Sequence, residues 1–128
     1  MSLEIARERL AVLAQAQGSV ELAPVGIAAV VTETCRAYRE LIADPAALRA
    51  LKSDITVLAR SGPGARRIYA ALLLREIDRE AGTDALASMS TSNEACDLAL
   101  GGCTVMSSSV GDAVAHLLGR SPGLEHGG

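Results

Sequence analysis

The segment from Pro63 to Gly82 constrains the fold most, because its middle is apolar on every side. Residues 68–74 read IYAALLL, whereas a helix with one wet face would show a polar stripe through those two turns. Gly62 and Pro63 stand before it as a stop for one helix and a start for the next, and Gly82 is predicted to end it. We therefore expect this helix to be the central, most buried element.

The composition favours helices packed around small aliphatic side chains. Among 128 residues 49% are apolar, yet the chain has two tyrosines, no phenylalanine and no tryptophan. Sheet sandwiches usually use aromatic and β-branched residues in their cores. The length predicts one helical domain over residues 1–120, followed by a disordered tail at 121–128.

Periodic apolar positions predict further helices on both sides of the central one. The clearest start is Asp44-Pro45, a side-chain acceptor at the N-cap followed by proline at the first helical position. Residues 25–31, VGIAAVV, also suit a buried strand, but the apolar period continues to Ile42 and favours a helix. The predicted helices are 3–16, 24–42, 45–61, the central one, and a short one capped by Thr83 that runs through Met89.

After residue 90 the pattern changes from helical to extended. The run CDLALGGCTVMSSSV predicts two short strands joined at Gly101-Gly102, a β-hairpin near 96–108 in which Leu98 faces Val105. Ser109 and Asp112 are spaced as a capping box for a short terminal helix. An isolated two-stranded hairpin is marginally stable and leaves an open edge.

The helices also repeat at a regular distance. Pro24 and Pro63 lie 39 residues apart, each opening a long apolar helix, and the helix from Pro45 fits between them. This pattern resembles a short HEAT-like array of paired helices over residues 24–90. The resemblance implies a mainly α fold of antiparallel helical hairpins, to which the C-terminal β-hairpin and short helix are added.

The charge and the apolar runs exclude two classes of partner. The net charge is -3 and Lys52 is the single lysine among twelve basic residues, so a nucleic-acid partner is disfavoured. The apolar runs are too short to span a bilayer, and the N-terminus does not resemble an export signal. Three cysteines without CxxC spacing indicate reduced thiols. We expect a cytoplasmic protein with no membrane partner.

The stretch SGPGARR, residues 61–67, is the best candidate for a ligand site. It lacks the length and the lysine of a Walker loop and the spacing of a dinucleotide loop. Arg66 and Arg67 nevertheless fall in the first turn of a helix, where the helix dipole disfavours cations unless an anion is near. That anion is either an acid of a neighbouring helix or a bound ligand or partner carboxylate, with Tyr69 as a further contact.

Other reactive groups do not form a recognisable site. The spacing of Cys96, Cys103 and His116 matches no common zinc site, and Cys103 with His116 lacks the elbow of a nucleophile–base pair. Glu76, Asp78 and Glu80 alternate with arginines, which is typical of a solvated helix face. The sequence therefore predicts no catalytic residue, no metal, no cofactor and no enzyme.

Two functions remain. The first is a small, non-catalytic helical module that binds another protein, as an adaptor, or a second copy of itself. Its interaction residues would lie in the β-hairpin, at Leu98, Leu100, Val105 and Met106. The alternative is a protein, enzymes included, that binds an anion or a small molecule through Arg66 and Arg67.

Overall fold

One helix, α5, forms the centre of the fold. The computed structural model describes residues 1–22, 31–101 and 104–119. Its elements are α1 (Leu3–Ala14), β1 (Ser19–Glu21), α2 (Glu33–Ile42), α3 (Pro45–Ala50), α4 (Lys52–Arg60), α5 (Gly64–Ile77), α6 (Arg79–Ala87), β2 (Ala95–Gly101), β3 (Thr104–Ser109) and α7 (Val110–Leu117). These ranges make the chain mainly helical with a small sheet, as predicted.

The burial of α5 confirms its central place. Every residue from Ile68 to Leu74 is buried, and α5 contacts each of the other helices and β1. Its two most extensive contacts are with α4 and α6, which flank it. The all-round apolar pattern is thus explained by neighbours on all sides.

Two helix starts follow from local capping. The side chain of Asp44 accepts a hydrogen bond from the backbone N–H of Ala47 at 3.3 Å, with Pro45 at the first position of α3. The hydroxyl of Ser109 accepts from the N–H of Asp112 at 3.1 Å and caps α7. In each case the side chain supplies an acceptor to an N–H that has no partner within the helix.

The prediction that Gly82 ends the central helix is wrong. Helix α5 ends at Ile77, and the carboxylate of Asp78 caps α6 by accepting from the N–H of Ala81 at 3.1 Å. Gly82 and Thr83 both lie inside α6. A Cβ at position 82 would stand 2.3 Å from the backbone of Arg75, so the absence of a side chain at Gly82 lets α6 approach α5 closely.

Two further helices differ from their predicted bounds. Helix α2 begins at Glu33, after the N-cap Thr32, and the predicted start at Pro24 falls outside the described residues. The single helix expected over 45–61 is divided at Leu51, whose φ of -101° and ψ of 12° depart from helical values. Leu51 is 1% exposed, so the bend places its side chain in the core.

The sheet has three strands in the order β1-β2-β3, which corrects the isolated two-stranded hairpin. Strand β1 pairs with β2 in parallel, Val20 opposite Leu98, and β2 pairs with β3 antiparallel. The predicted register was also wrong by one residue, because Leu98 lies opposite Met106. Gly101 pairs with Thr104, two residues away from the predicted register, and a bulge between Ala99 and Gly101 places an extra residue in β2 that reduces the displacement to one.

The described residues bear on only some of the remaining predictions about the organisation of the chain. In the described ranges no helix is long and apolar enough to cross a bilayer. The predicted tail at 121–128, Gly102 of the predicted turn, and Cys103 fall outside those ranges. Neither the single-domain division nor the HEAT-like repeat is tested by the element bounds, and both stay predictions.

Candidate functional site

The N-terminus of α5 is closed by an acid of the same chain. Gly62 turns the chain with a φ of +93°, which glycine adopts without strain, and Pro63 precedes the helix. The backbone N–H of Gly64 then donates to the carboxylate of Glu94 at 2.6 Å. This carboxylate supplies the negative charge that the helix dipole favours, so an acid of the chain itself already interacts with the N-terminus of α5.

Arg66 forms its hydrogen bonds with the turn that precedes α5. Its Nη2 and Nε donate to the backbone oxygen of Ser61 at 2.7 and 3.2 Å. Ser61 is the C-cap of α4, where unpaired carbonyls and the negative end of the dipole favour a cation. Arg66 therefore fastens the α4–α5 turn.

Arg67 points elsewhere, into a groove over α5. The groove lies between α4 and α6 and has a volume of about 460 Å³. Its residues recur at steps of three and four on each helix, so one face of each helix lines it. They are Thr56, Ala59 and Arg60 of α4, Arg67 and Leu74 of α5, and Ala81, Asp84, Ala85 and Ser88 of α6. We call this surface the α4–α6 groove.

The charged groups of the α4–α6 groove lack partners within the described part of the chain. The Nε of Arg67 is buried and has no hydrogen-bond partner. Arg60, Arg67 and Asp84 form no ion pair among the described residues. A buried N–H without a partner costs about 1–3 kcal/mol, and a ligand oxygen would remove that cost.

Sequence reasoning found one residue of this groove, Arg67, and missed its other residues. The signal was available in α6, where Ala81, Ala85 and Ser88 place small side chains on one face at helical spacing. Misreading Gly82 as a helix end divided that face between two segments and hid it.

Tyr69 belongs to the core rather than to the groove. Its side chain is fully buried, and its hydroxyl accepts from the N–H of Glu21 at 2.6 Å and donates to the carbonyl of Glu21 at 3.1 Å. Its ring lies 5.8 Å from that of Tyr38. Both polar functions of the hydroxyl are occupied by β1, so Tyr69 joins the sheet to α5 and is not a ligand contact.

Replacing Tyr69 with phenylalanine is expected to lower the free energy of unfolding by about 1–2 kcal/mol, because the N–H and carbonyl of Glu21 lose their shared partner. Urea unfolding of the two proteins measures the difference. Tyr38→Phe is the control, since no hydrogen bond of the Tyr38 hydroxyl is present among the described residues. Equal losses in both variants would contradict this role of the Tyr69 hydroxyl.

Of the four predicted interaction residues of the hairpin, the structure describes the side chain of Leu98 alone. Leu98 is 1% exposed and lies in the middle strand, so it is part of the core. Leu100 lies at the bulge of β2, and Val105 and Met106 lie in β3 opposite Ala99 and Leu98. Their side chains are outside what the structure describes.

The thiols are protected by burial. Cys35 and Cys96 are free and buried, and burial raises the pKa of both, that of Cys96 to about 11, with Asp97 and Glu94 adding to the effect. A raised pKa keeps a thiol protonated and unreactive at neutral pH. Cys103 lies outside the described residues, and within them no three His, Cys, Asp or Glu side chains gather to hold a metal.

Comparison with known protein families, curated proteins and solved structures finds no match to this chain.

Proposed function

We infer that the protein is a small, non-catalytic binding module, and that the α4–α6 groove receives an amphipathic helix of a partner protein. The observation that carries this proposal is the side chain of Arg67, which lines the groove and whose buried Nε has no hydrogen-bond partner among the described residues. The partner helix supplies an aspartate or glutamate to Arg67.

The charges favour an acidic partner residue. Two arginines, Arg60 and Arg67, line the groove against one acid, Asp84, and none of the three is paired within the described ranges. A carboxylate can accept two parallel N–H bonds from one guanidinium, which fixes its position as well as its charge. The positive charge of Arg60 then adds to the electrostatic attraction of the partner's carboxylate.

The shape favours a helix over a small ligand. Ala81 and Ser88 lie two turns apart on α6, so the small-residue wall is about 10 Å long. Small side chains on both walls let the backbone of a third helix approach closely, and the apolar floor at Leu74 receives its apolar side chains. Arg67 lies two turns before Leu74 on the same face of α5.

The proposal is tested with Arg67→Gln, which removes the charge and keeps a side chain of similar length. Partners are captured from the native host with wild-type protein, identified, purified and titrated against both forms. We expect the dissociation constant to rise about tenfold or more, because a buried charged pair is lost. Arg49→Gln, an exposed arginine of α3 outside the groove, is the matched control and should leave affinity unchanged.

A partner that binds wild type and Arg67→Gln equally well would contradict the groove as the binding site. So would equal losses in Arg67→Gln and Arg49→Gln, since the effect would then follow net charge alone. A further check is Ala85→Leu, which fills the groove and should also weaken binding.

The alternative function, binding of a small anion, rests on the same guanidinium. Arg66 contributes little to it, because its donors are held by Ser61. Inorganic phosphate or citrate would then raise Tm in the wild type and not in Arg67→Gln. If neither anion raises Tm, this alternative is contradicted, and the binding of a partner helix is the function that stays proposed.

The HEAT-like resemblance, the absence of enzymatic activity and the cytoplasmic location belong to the same proposal. The HEAT-like repeat over residues 24–90 agrees with a binding surface formed by side-by-side helices, as in other helical arrays. The absence of enzymatic activity and the cytoplasmic location stay predictions.

A further inference from the structure

A second surface lies on the other side of α4, facing α1. It is a shallow groove of about 370 Å³ whose residues again share one face of each helix. They are Arg7, Leu10, Ala11 and Ala14 of α1, and Asp54, Val57 and Leu58 of α4. We call it the α1–α4 face. It shares no residue with the α4–α6 groove.

The α1–α4 face carries apolar side chains that are exposed to solvent. Val57 is 64% exposed, more than any other large apolar residue in the described ranges. Leu3 is 39% exposed and lies one helical turn before Arg7, on the same side of α1. Five of the seven lining residues are apolar. An apolar strip of this kind is typical of a contact with another protein.

The two charges of the face are opposite and stand on opposite walls. Arg7 lies on α1 and Asp54 on α4. Both are exposed, and neither forms an ion pair within residues 1–22, 31–101 and 104–119. A face with one cation and one anion has no net charge to select an acidic or a basic partner. It is, however, complementary to itself.

A face that is complementary to itself can bind a second copy of the chain in a symmetric dimer. In a two-fold dimer the same surface of each copy meets the other. A two-fold axis running along the groove places α1 of one copy over α4 of the other. Arg7 of each copy then faces the helix that carries Asp54 of its partner, twice per dimer, and Val57 faces the other α1.

We propose that the α1–α4 face binds a second copy of this chain, forming a homodimer with reciprocal Arg7–Asp54 ion pairs around a centre formed by Val57. Because the α4–α6 groove lies on the other side of α4, both grooves of the dimer remain open. The proposal does not depend on what those grooves bind.

The test combines light scattering with charge reversal. Wild-type protein should pass from monomer to dimer as its concentration rises from the micromolar to the millimolar range. Arg7→Asp and Asp54→Arg should each weaken the dimer about tenfold or more, because each reversal sets two like-charged pairs against each other. An equimolar mixture of the two variants should dimerise again, since every cross-pair is then opposite in charge.

The restoration by mixing is the decisive observation, because damage to the fold of either variant cannot produce it. Circular dichroism checks that both variants are folded, and Val57→Gln weakens the dimer without changing charge. Glu80→Arg is the matched control, an acid that also lies in the first turn of its helix and is exposed. A wild type that stays monomeric, a mixture that stays monomeric, or an equal loss in Glu80→Arg would each overturn the proposal.

Discussion

Gly82→Ala is expected to lower the free energy of unfolding by about 2 kcal/mol or more, and Tm by about 8 °C. The new Cβ would lie 2.3 Å from both the Cα and the N of Arg75, which are backbone atoms that cannot rotate away. Alanine favours a helix by about 1 kcal/mol over glycine. That gain does not offset a clash of this kind, since α6 must move away from α5 to relieve it.

The matched control is Gly18→Ala. A Cβ at position 18 meets nothing within 4 Å, so this variant should be as stable as the wild type or slightly more stable. Thermal unfolding followed by circular dichroism measures both variants. If Gly82→Ala were as stable as Gly18→Ala, the close approach of α6 to α5 would be contradicted.

The second large effect is a loss of stability at alkaline pH. Burial raises the pKa of Tyr38 and of Tyr69 from the ordinary value of 10.0 to about 12. Because the unfolded chain releases these protons first, the stabilisation is complete below pH 10 and is lost as pH rises through 12. Two pKa units correspond to about 2.7 kcal/mol for each tyrosine.

Ionisation of Cys96 begins to lower the stability at a lower pH than ionisation of the tyrosines does. Its thiol has a pKa of about 11 against an ordinary 9.0, so its share of the stability falls between those values. A Cys96→Ala variant separates this contribution from that of the tyrosines.

The absorbance of tyrosinate provides the measurement. The chain has two tyrosines and no tryptophan, so the signal reports on Tyr38 and Tyr69 alone. Urea unfolding over the same pH series should show the loss of stability, and Tyr69→Phe should remove about half of the tyrosine part. A folded protein whose tyrosines titrate near pH 10 would contradict the burial of both rings.

Local signals in the sequence predicted local structure well. Asp44 and Ser109 were identified as caps because a cap needs one acceptor and an N–H three residues away. The all-apolar run at 68–74 predicted the buried helix because burial on every side leaves no other pattern.

The wrong or missing predictions came from sequence patterns that fit two structures, or from segments too short to show a pattern. Gly82 can end a helix or admit a neighbouring helix, and the choice depends on Arg75, which belongs to another helix. Strand β1 has three residues, too few to show an alternating pattern, and its partner lies far along the chain. The α4–α6 groove was hidden because alanines at helical spacing also suit an ordinary helix surface.

The parallel pairing of β1 with β2 also determines the order in which the chain can be completed. Ser19 pairs with Asp97, so five of the described helices, α2 to α6, are synthesised between the two strands. While the chain emerges from the ribosome, β1 cannot form its parallel pairing until β2, Ala95–Gly101, has been made. We therefore expect the helices around α5 to assemble before β1 pairs with β2, and the late closure of so long a loop to make the sheet the slow step of folding.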